Sequence, residues 1–335
     1  MGLRDGNRNH FARIQVLEAA NEVAKMRIKR VMTEIVAAIL VAGSPAMSAP
    51  KTNATGAPTQ MVITVPPAPG DNRADGLEAG DLTVLRGNST APIVRFERLS
   101  GDLADMQLFV LLDDSTRSSS LAIQLPELKT FLESLPATTQ VALGYMRNGT
   151  FGLVQAFTAD HNKVASSLRL PASIPGENGS PYFVLSDLAK HWPSKQSTNR
   201  RAVLMLTDGV DPYYGAADMD DPYVNAAIHD ALKEGVMVYS IYLRGAGLYG
   251  RSDWVTNFAQ SRLIEVSEET GGHAYSLGFT DPVTISPFLK DFQDRLDNQY
   301  RVTIEALNDK GVQPVKLRSE LRGLKIEGPT HIYMR

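Results

Sequence analysis

The sequence predicts an α/β fold, a doubly wound and mostly parallel sheet with small flanking β segments. Three observations predict it. Leu108-Phe109-Val110-Leu111-Leu112 is an unbroken apolar run, which suits a strand covered on both faces. Leu121, Leu125, Leu128, Leu132 and Leu135 then recur at helical spacing and give Ser118–Leu135 one buried stripe. From there, strand-like and helix-like stretches alternate as far as Asn298.

Taken in order, residues 49–75 are rich in Pro, Ala, Thr and Gly and read as a linker with one short strand, Met61–Val65. Residues 76–100 hold two β-prone runs, Leu82–Leu85 and Ile93–Phe96, on either side of the turn-prone Arg86-Gly87-Asn88-Ser89-Thr90. They are expected to pair as a β-hairpin. The large domain spans 103–299. After the first strand, its helix is expected to kink or restart at Pro126. Strands Val141–Arg147 and Phe151–Phe157 follow, then a helix near Lys163–Leu168 and another over Tyr182–Trp192, stopped by Pro193. Strand Ala202–Leu206 leads to a helix with Val224, Ala227, Ile228, Ala231 and Leu232 on one face, and Val236–Leu243 is the next strand. Helix Asn257–Thr270 ends at Gly271-Gly272, strand Ala274–Leu277 follows, and helix Pro287–Asn298 closes the unit. Residues 300–335 form a C-terminal β extension, expected to pack with the segment Leu82–Phe96 as one accessory sheet, because isolated hairpins are barely stable in water.

Of 335 residues, 34 are Lys or Arg and 37 Asp or Glu; with no basic run beyond the N-terminal region, nothing marks a nucleic-acid partner. The absence of Cys removes disulfides, thiolate catalysis and Cys-ligated metals. Arg27, Lys29 and Arg30 precede the apolar run Val31–Ala42 and the small residues up to Ala49, which is the pattern of a secretory signal peptide over 26–48. Translation is expected to begin at Met26, with 1–25 a non-native leader and cleavage between Ala46 and Ala49. The product is then exported, periplasmic or extracellular, without a membrane span.

In doubly wound sheets ligands bind outside the carboxyl ends of the central strands. Two strands deliver carboxylates there: Asp113-Asp114-Ser115 follows the first, and Thr207-Asp208-Gly209 follows Ala202–Leu206. Ser180 stands just before a helix, where its hydroxyl could face the same crevice. Two carboxylates and two hydroxyls offer hard oxygen ligands to a cation such as Mg²⁺.

The order and spacing resemble a von Willebrand factor type A domain from about Leu108 to Asn298, and more narrowly the exported bacterial proteins related to it. Gly76-Leu77-x-x-x-Asp81-Leu82-x-Val84 and Leu296-Asp297-Asn298-Gln299-Tyr300 belong to that pattern. The resemblance implies a Rossmann-like fold, adhesion without turnover, and a metal-ion-dependent adhesion site whose cation takes a carboxylate from a protein partner. Carried over residue by residue, it assigns Asp113, Ser115, Ser180 and Asp208 to the metal. Two positions depart from the motif, since Ser180 stands for Thr and Arg117 for the third Ser. An inward Arg117 guanidinium, permanently charged, would replace the metal. An outward one would leave Ser118 to be recruited by a shift of the loop.

Other readings stay open. A metal-assisted hydrolase could use the same sheet, although the sequence has no G-x-S-x-G elbow and no identifiable His partner for Ser115. A structural envelope role needs no site at all. Asp218, Asp220 and Asp221 form an acidic loop without EF-hand spacing, and the His residues show no ligand spacing. Tyr213, Tyr214, Tyr242 and Tyr249 are candidate rim contacts for a partner, with core packing the alternative for Tyr242.

Overall fold

The computed structural model describes residues 58–66, 76–115, 118–172, 179–213, 221–244, 252–276, 278–305 and 309–335. The leader, the signal segment and Arg117 lie outside them. Four short strands come first, β1 (Thr59–Thr64), β2 (Leu82–Arg86), β3 (Ser89–Thr90) and β4 (Ile93–Arg98). The large domain follows as β5 (Met106–Asp113), α1 (Ser118–Ser134), β6 (Thr139–Arg147), β7 (Thr150–Thr158), α2 (His161–Ser166) and α3 (Pro181–Lys190). It continues through β8 (Arg200–Thr207), α4 (Pro222–Glu234), β9 (Val236–Tyr242), α5 (Asp253–Glu269), β10 (Ala274–Tyr275) and α6 (Ser286–Asp297). Strands β11 (Gln299–Ile304), β12 (Gly311–Pro314), β13 (Lys316–Ser319) and β14 (His331–Met334) end the chain.

The central sheet has the order β10-β9-β8-β5-β6-β7. All its pairings are parallel except that of the edge strand β7 with β6. Helices cover both faces, and residue parity along the strands shows it. Leu108, Val110 and Leu112 of β5 pack with Leu121, Leu128 and Leu132 of α1 and with Leu289 and Phe292 of α6. Phe109 and Leu111 face the other way, toward Tyr182 and Leu185 of α3, Ala227 of α4 and Leu263 of α5. Every residue of β5 is buried, so its sequence shows no alternation. This is the doubly wound, Rossmann-like α/β fold. The chain turns one way from β5 to β6 and returns on the other side as β8, so the switch point lies between the carboxyl ends of β5 and β8.

Helix α1 runs through Pro126 as one element, so of the kink or restart expected there the restart does not occur. Pro126 and Ala122, whose carbonyl loses its partner, both face solvent, where water can satisfy the carbonyl. The hairpin of Leu82–Leu85 with Ile93–Phe96 does not form. Strand β2 pairs with β3 and β13, whereas β4 joins β11, itself paired with β1. The N- and C-terminal β segments do share one core, in which Met61, Ile63, Leu82 and Val84 meet Tyr300, Val302, Val315 and Ile332, but in several small sheets rather than one.

Candidate functional site

Asp113 and Thr207 are the last residues of adjacent parallel strands whose register pairs Leu112 with Leu206, so they stand level at the switch point. Thr207 Oγ1 donates to Asp113 Oδ2 at 2.7 Å. The other oxygen, Oδ1, accepts from the Ser115 amide at 2.9 Å and from Ser115 Oγ at 2.7 Å. Burial raises the Asp113 carboxyl above its ordinary range; the donors from Ser115 and Thr207 pull it back, and the Asp114 charge adds to the rise.

Asp208 begins the next turn and accepts from the Val210 amide at 2.9 Å. Its carboxyl is pushed up to about 7, first by burial and then by the Asp113 charge beside it. The turn it sits on is rigidly placed. Gly209 has φ +68°, and a Cβ there would come within 2.7 Å of the Leu263 side chain and 2.9 Å of the Ala259 carbonyl on α5. From α3, the buried Tyr182 hydroxyl donates to the Gly209 carbonyl at 2.8 Å. That bond also brings the first turn of α3, with Ser180 as its cap, to the same rim. Ser180 is fully buried, and its Oγ accepts from the Phe183 amide at 3.4 Å.

Asp114 points elsewhere. Its carboxylate takes two parallel bonds from Arg169, at 2.6 and 3.1 Å, and one from the Ala172 amide at 2.9 Å. Arg169 lies over the Tyr145 ring at 3.8 Å. An ion pair between the buried Asp114 and the partly exposed Arg169 thus pins the turn that presents Ser115, and 55 residues of chain separate its two members. Sequence reading missed both Asp114–Arg169 and Thr207. The pair has no signal in local spacing, but Thr207 sat in the quoted Thr207-Asp208-Gly209 turn.

The residues present suit a hard divalent cation. Asp113 and Asp208 bring two carboxylates together, with hydroxyls of Ser115, Thr207 and Ser180 at the same end of the sheet. Among the described residues no cluster of three or more His, Cys, Asp or Glu side chains could hold a metal, so hydroxyl oxygens are needed to complete any set here.

The remaining candidates fall elsewhere. Asp221 caps α4 through the Tyr223 amide and lies 3.4 Å from Arg262; Asp218 and Asp220 are outside the described residues. His191, His229 and His331 contact Asp187, Asp230 and Glu269 at the surface. The Ser115 hydroxyl donates to Asp113 and not to a His. Tyr242 is core, Tyr213 is exposed, and Tyr214 and Tyr249 are not among the described residues. No helix among the described residues is long and apolar enough to cross a membrane.

No family model matches this sequence, and no curated protein matches it. Solved structures do. An aerotolerance-related membrane protein from Bacteroides fragilis is 16% identical, covers 57% of this chain and 98% of its own, and superposes with a TM-score of 0.41. The SpRpn10 VWA domain is 11% identical over 57% of this chain and 97% of its own, with a TM-score of 0.37. Proximal thread matrix protein 1 from the mussel byssus, solved with a zinc-occupied MIDAS motif, is 14% identical, with a TM-score of 0.42 over 62% of this chain and 48% of its own.

Proposed function

We propose that this chain carries a von Willebrand factor A-type domain and that it is an exported protein-binding module of the adhesion type, without turnover. Its partner presents a carboxylate to the crevice between β5 and β8, and a Mg²⁺ ion held by Asp113, Ser115, Ser180 and Asp208 bridges the two. The observation that carries the reading is the pairing of Asp113 and Asp208 at the switch point, ringed by hydroxyl oxygens and with Asp208 pushed up to about 7. Two adjacent acids, Asp113 buried and Asp208 half-buried, call for a positive charge, and a carboxylate ligand could not enter without one. The bound cation would supply Lewis acidity toward the partner's oxygen, while the chain's residues hold and orient it. Export rests on the 26–48 segment alone.

Arg117 is the departure from the motif: turned inward, its guanidinium would compete with the cation for the same carboxylates. Isothermal titration of Mg²⁺ into the wild type, Asp208→Ala and Arg117→Ser tests this. Asp208→Ala is expected to abolish binding. Arg117→Ser should tighten it roughly tenfold, by removing a competing charge and restoring a hydroxyl. Equal, measurable affinity in the wild type and Arg117→Ser would show that Arg117 takes no part; binding unaffected by Asp208→Ala would sink the site itself.

A further inference from the structure

Exposed aromatic side chains are distributed unevenly over this molecule. Among the described residues, Phe183, Tyr213, Trp254 and Phe279 are the exposed ones. Phe183 and Trp254 lie in the first turns of α3 and α5, Tyr213 in the loop after β8, and Phe279 in the loop after β10. All four positions are at the carboxyl end of the parallel strands, the end that carries Asp113 and Asp208. An exposed ring costs free energy in water, so such a concentration marks a surface that gets covered.

One group borders the site directly. Tyr213 is 71% exposed and Phe183 49%, and both meet the half-buried Tyr223 edge to face, at 6.4 and 5.8 Å between centroids. Interplanar angles of 67° and 90° leave an angular notch instead of a flat stack. The notch abuts Ser180: a Cβ on Gly179 would lie 3.4 Å from the Tyr213 ring and 3.1 Å from the Gly149 backbone, so the segment before Ser180 packs closely against the rings.

We propose that Phe183, Tyr213 and Tyr223 form a specificity pocket that seats an apolar side chain next to the partner's carboxylate-bearing residue. The inference rests on the preceding reading of the crevice and names its ligand more closely, as an acidic protein segment in which Asp or Glu adjoins an aromatic or leucine residue. The crevice floor carries the Asp113 and Asp208 carboxylates, whereas Phe183, Tyr213 and Tyr223 offer ring faces and edges, so the two halves ask for different chemistry from neighbouring residues of one segment. Rings packed edge to face lose little freedom on binding, which suits them as anchors.

The test is an NMR titration of the ¹⁵N-labelled full chain in Mg²⁺ with end-blocked Gly-Asp-X-Gly peptides, where X is Trp, Leu, Ser or Lys, and with Gly-Asn-Trp-Gly. Trp and Leu peptides are expected to bind at least about fivefold more tightly than Ser, the effect of partly burying one apolar side chain. Tyr213→Ala and Phe183→Ala, both exposed positions, should erase that preference and leave binding of the Ser peptide unchanged. Equal affinity for Trp, Leu and Ser overturns the pocket while the crevice reading stands. A preference for Lys also overturns it, since the rings would then be serving as a cation cage. Equal binding of the Asn-Trp and Asp-Trp peptides, lost in Tyr213→Ala, keeps the pocket and refutes the carboxylate. Binding of none refutes both.

Discussion

At the residue scale the decisive feature is that Asp113 and Asp208 are stabilised unequally. Asp113 receives three hydrogen bonds from Ser115 and Thr207, so its charge is solvated by the protein; Asp208 has the Val210 amide and a negative neighbour. Asp208 therefore holds a proton up to about pH 7 in the folded state, against the ordinary carboxyl value of 3.8. The sign follows from linkage. Between about pH 4 and 7 the folded chain binds the extra proton and the unfolded chain does not, so stability falls as pH rises through that window and stays low above it. Melting in the presence of a chelator should show a higher midpoint at pH 5 than at pH 8, and Asp208→Asn should flatten that difference. Saturating Mg²⁺ should restore the midpoint at pH 8, because a cation replaces the proton. A midpoint that rises with pH in the wild type while Asp208→Asn stays flat would contradict the assignment. Asp113, Ser115 and Asp208 were legible in the sequence because each lies within a few residues of a strand end that the apolar runs define. The Arg169 that neutralises Asp114 was not, since only the fold brings it across.

At the element scale, glycines and one carboxylate fix how the helices end and begin. Helix α5 stops in a double hydrogen-bonded turn, with the Gly271 amide donating to the Glu268 carbonyl at 3.1 Å and the Gly272 amide to the Ser267 carbonyl at 2.8 Å. Gly271 takes φ +85°, and Gly272 passes so close to β9 that a Cβ would fall 1.8 Å from the Val238 carbonyl oxygen. The backbone there cannot yield without moving a buried strand. Gly272→Ala should cost about 3 kcal/mol in urea unfolding, against about 1 kcal/mol for Gly271→Ala; equal costs would mean the strand relaxes freely. Glu127 on α1 reaches across to the start of α6, where its Oε2 accepts from the Ile285 and Ser286 amides at 2.9 and 2.7 Å and from the hydroxyls of Thr284 and Ser286. These bonds lower its carboxyl below the ordinary value, although burial opposes them. Glu127 thus does for α6 what a cap residue on α6 itself would do, since Ile285 at the cap position has no side-chain oxygen to offer. Glu127→Ala should destabilise by about 1 kcal/mol, measured by chemical denaturation. Periodicity located these helices because each buries one stripe, but a cap supplied from another helix leaves no local trace.

At the scale of the whole molecule, the two ends of the described chain form a second core that neither could form alone. Strand β11 sits between β1 and β4, pairing Val302 with Met61 on one side and with Phe96 on the other. Strand β13 pairs with β2, and Thr64 bridges to Glu327. Arg200 ties this module to the base of the large sheet, bonding the Leu296 and Ala104 carbonyls and Gln299 Oε1. The expected hairpin failed for a physical reason: a β-prone run says that a strand exists but not which strand it meets, and Ile93–Arg98 meets one 200 residues later. The β5 run was safer to read because a strand buried on both faces has one place to go, the middle of the sheet. The non-local pairing also makes a prediction. Deleting residues 302–335 removes half of β11 and all of β13, leaving Leu82 and Val84 without Val315, Leu317 and Ile332 of their core. The remaining β2–β3 ladder is a two-stranded ribbon, too small to be stable in water. The central sheet keeps every one of its own strands, so the large domain should stay folded while the segment between Asp81 and Glu97 opens. Limited trypsin digestion should then cleave the truncated chain at Arg86 or Arg95 within minutes and leave the full chain intact there. Equal resistance of both chains would show that the N-terminal strands are held by something other than β11 and β13.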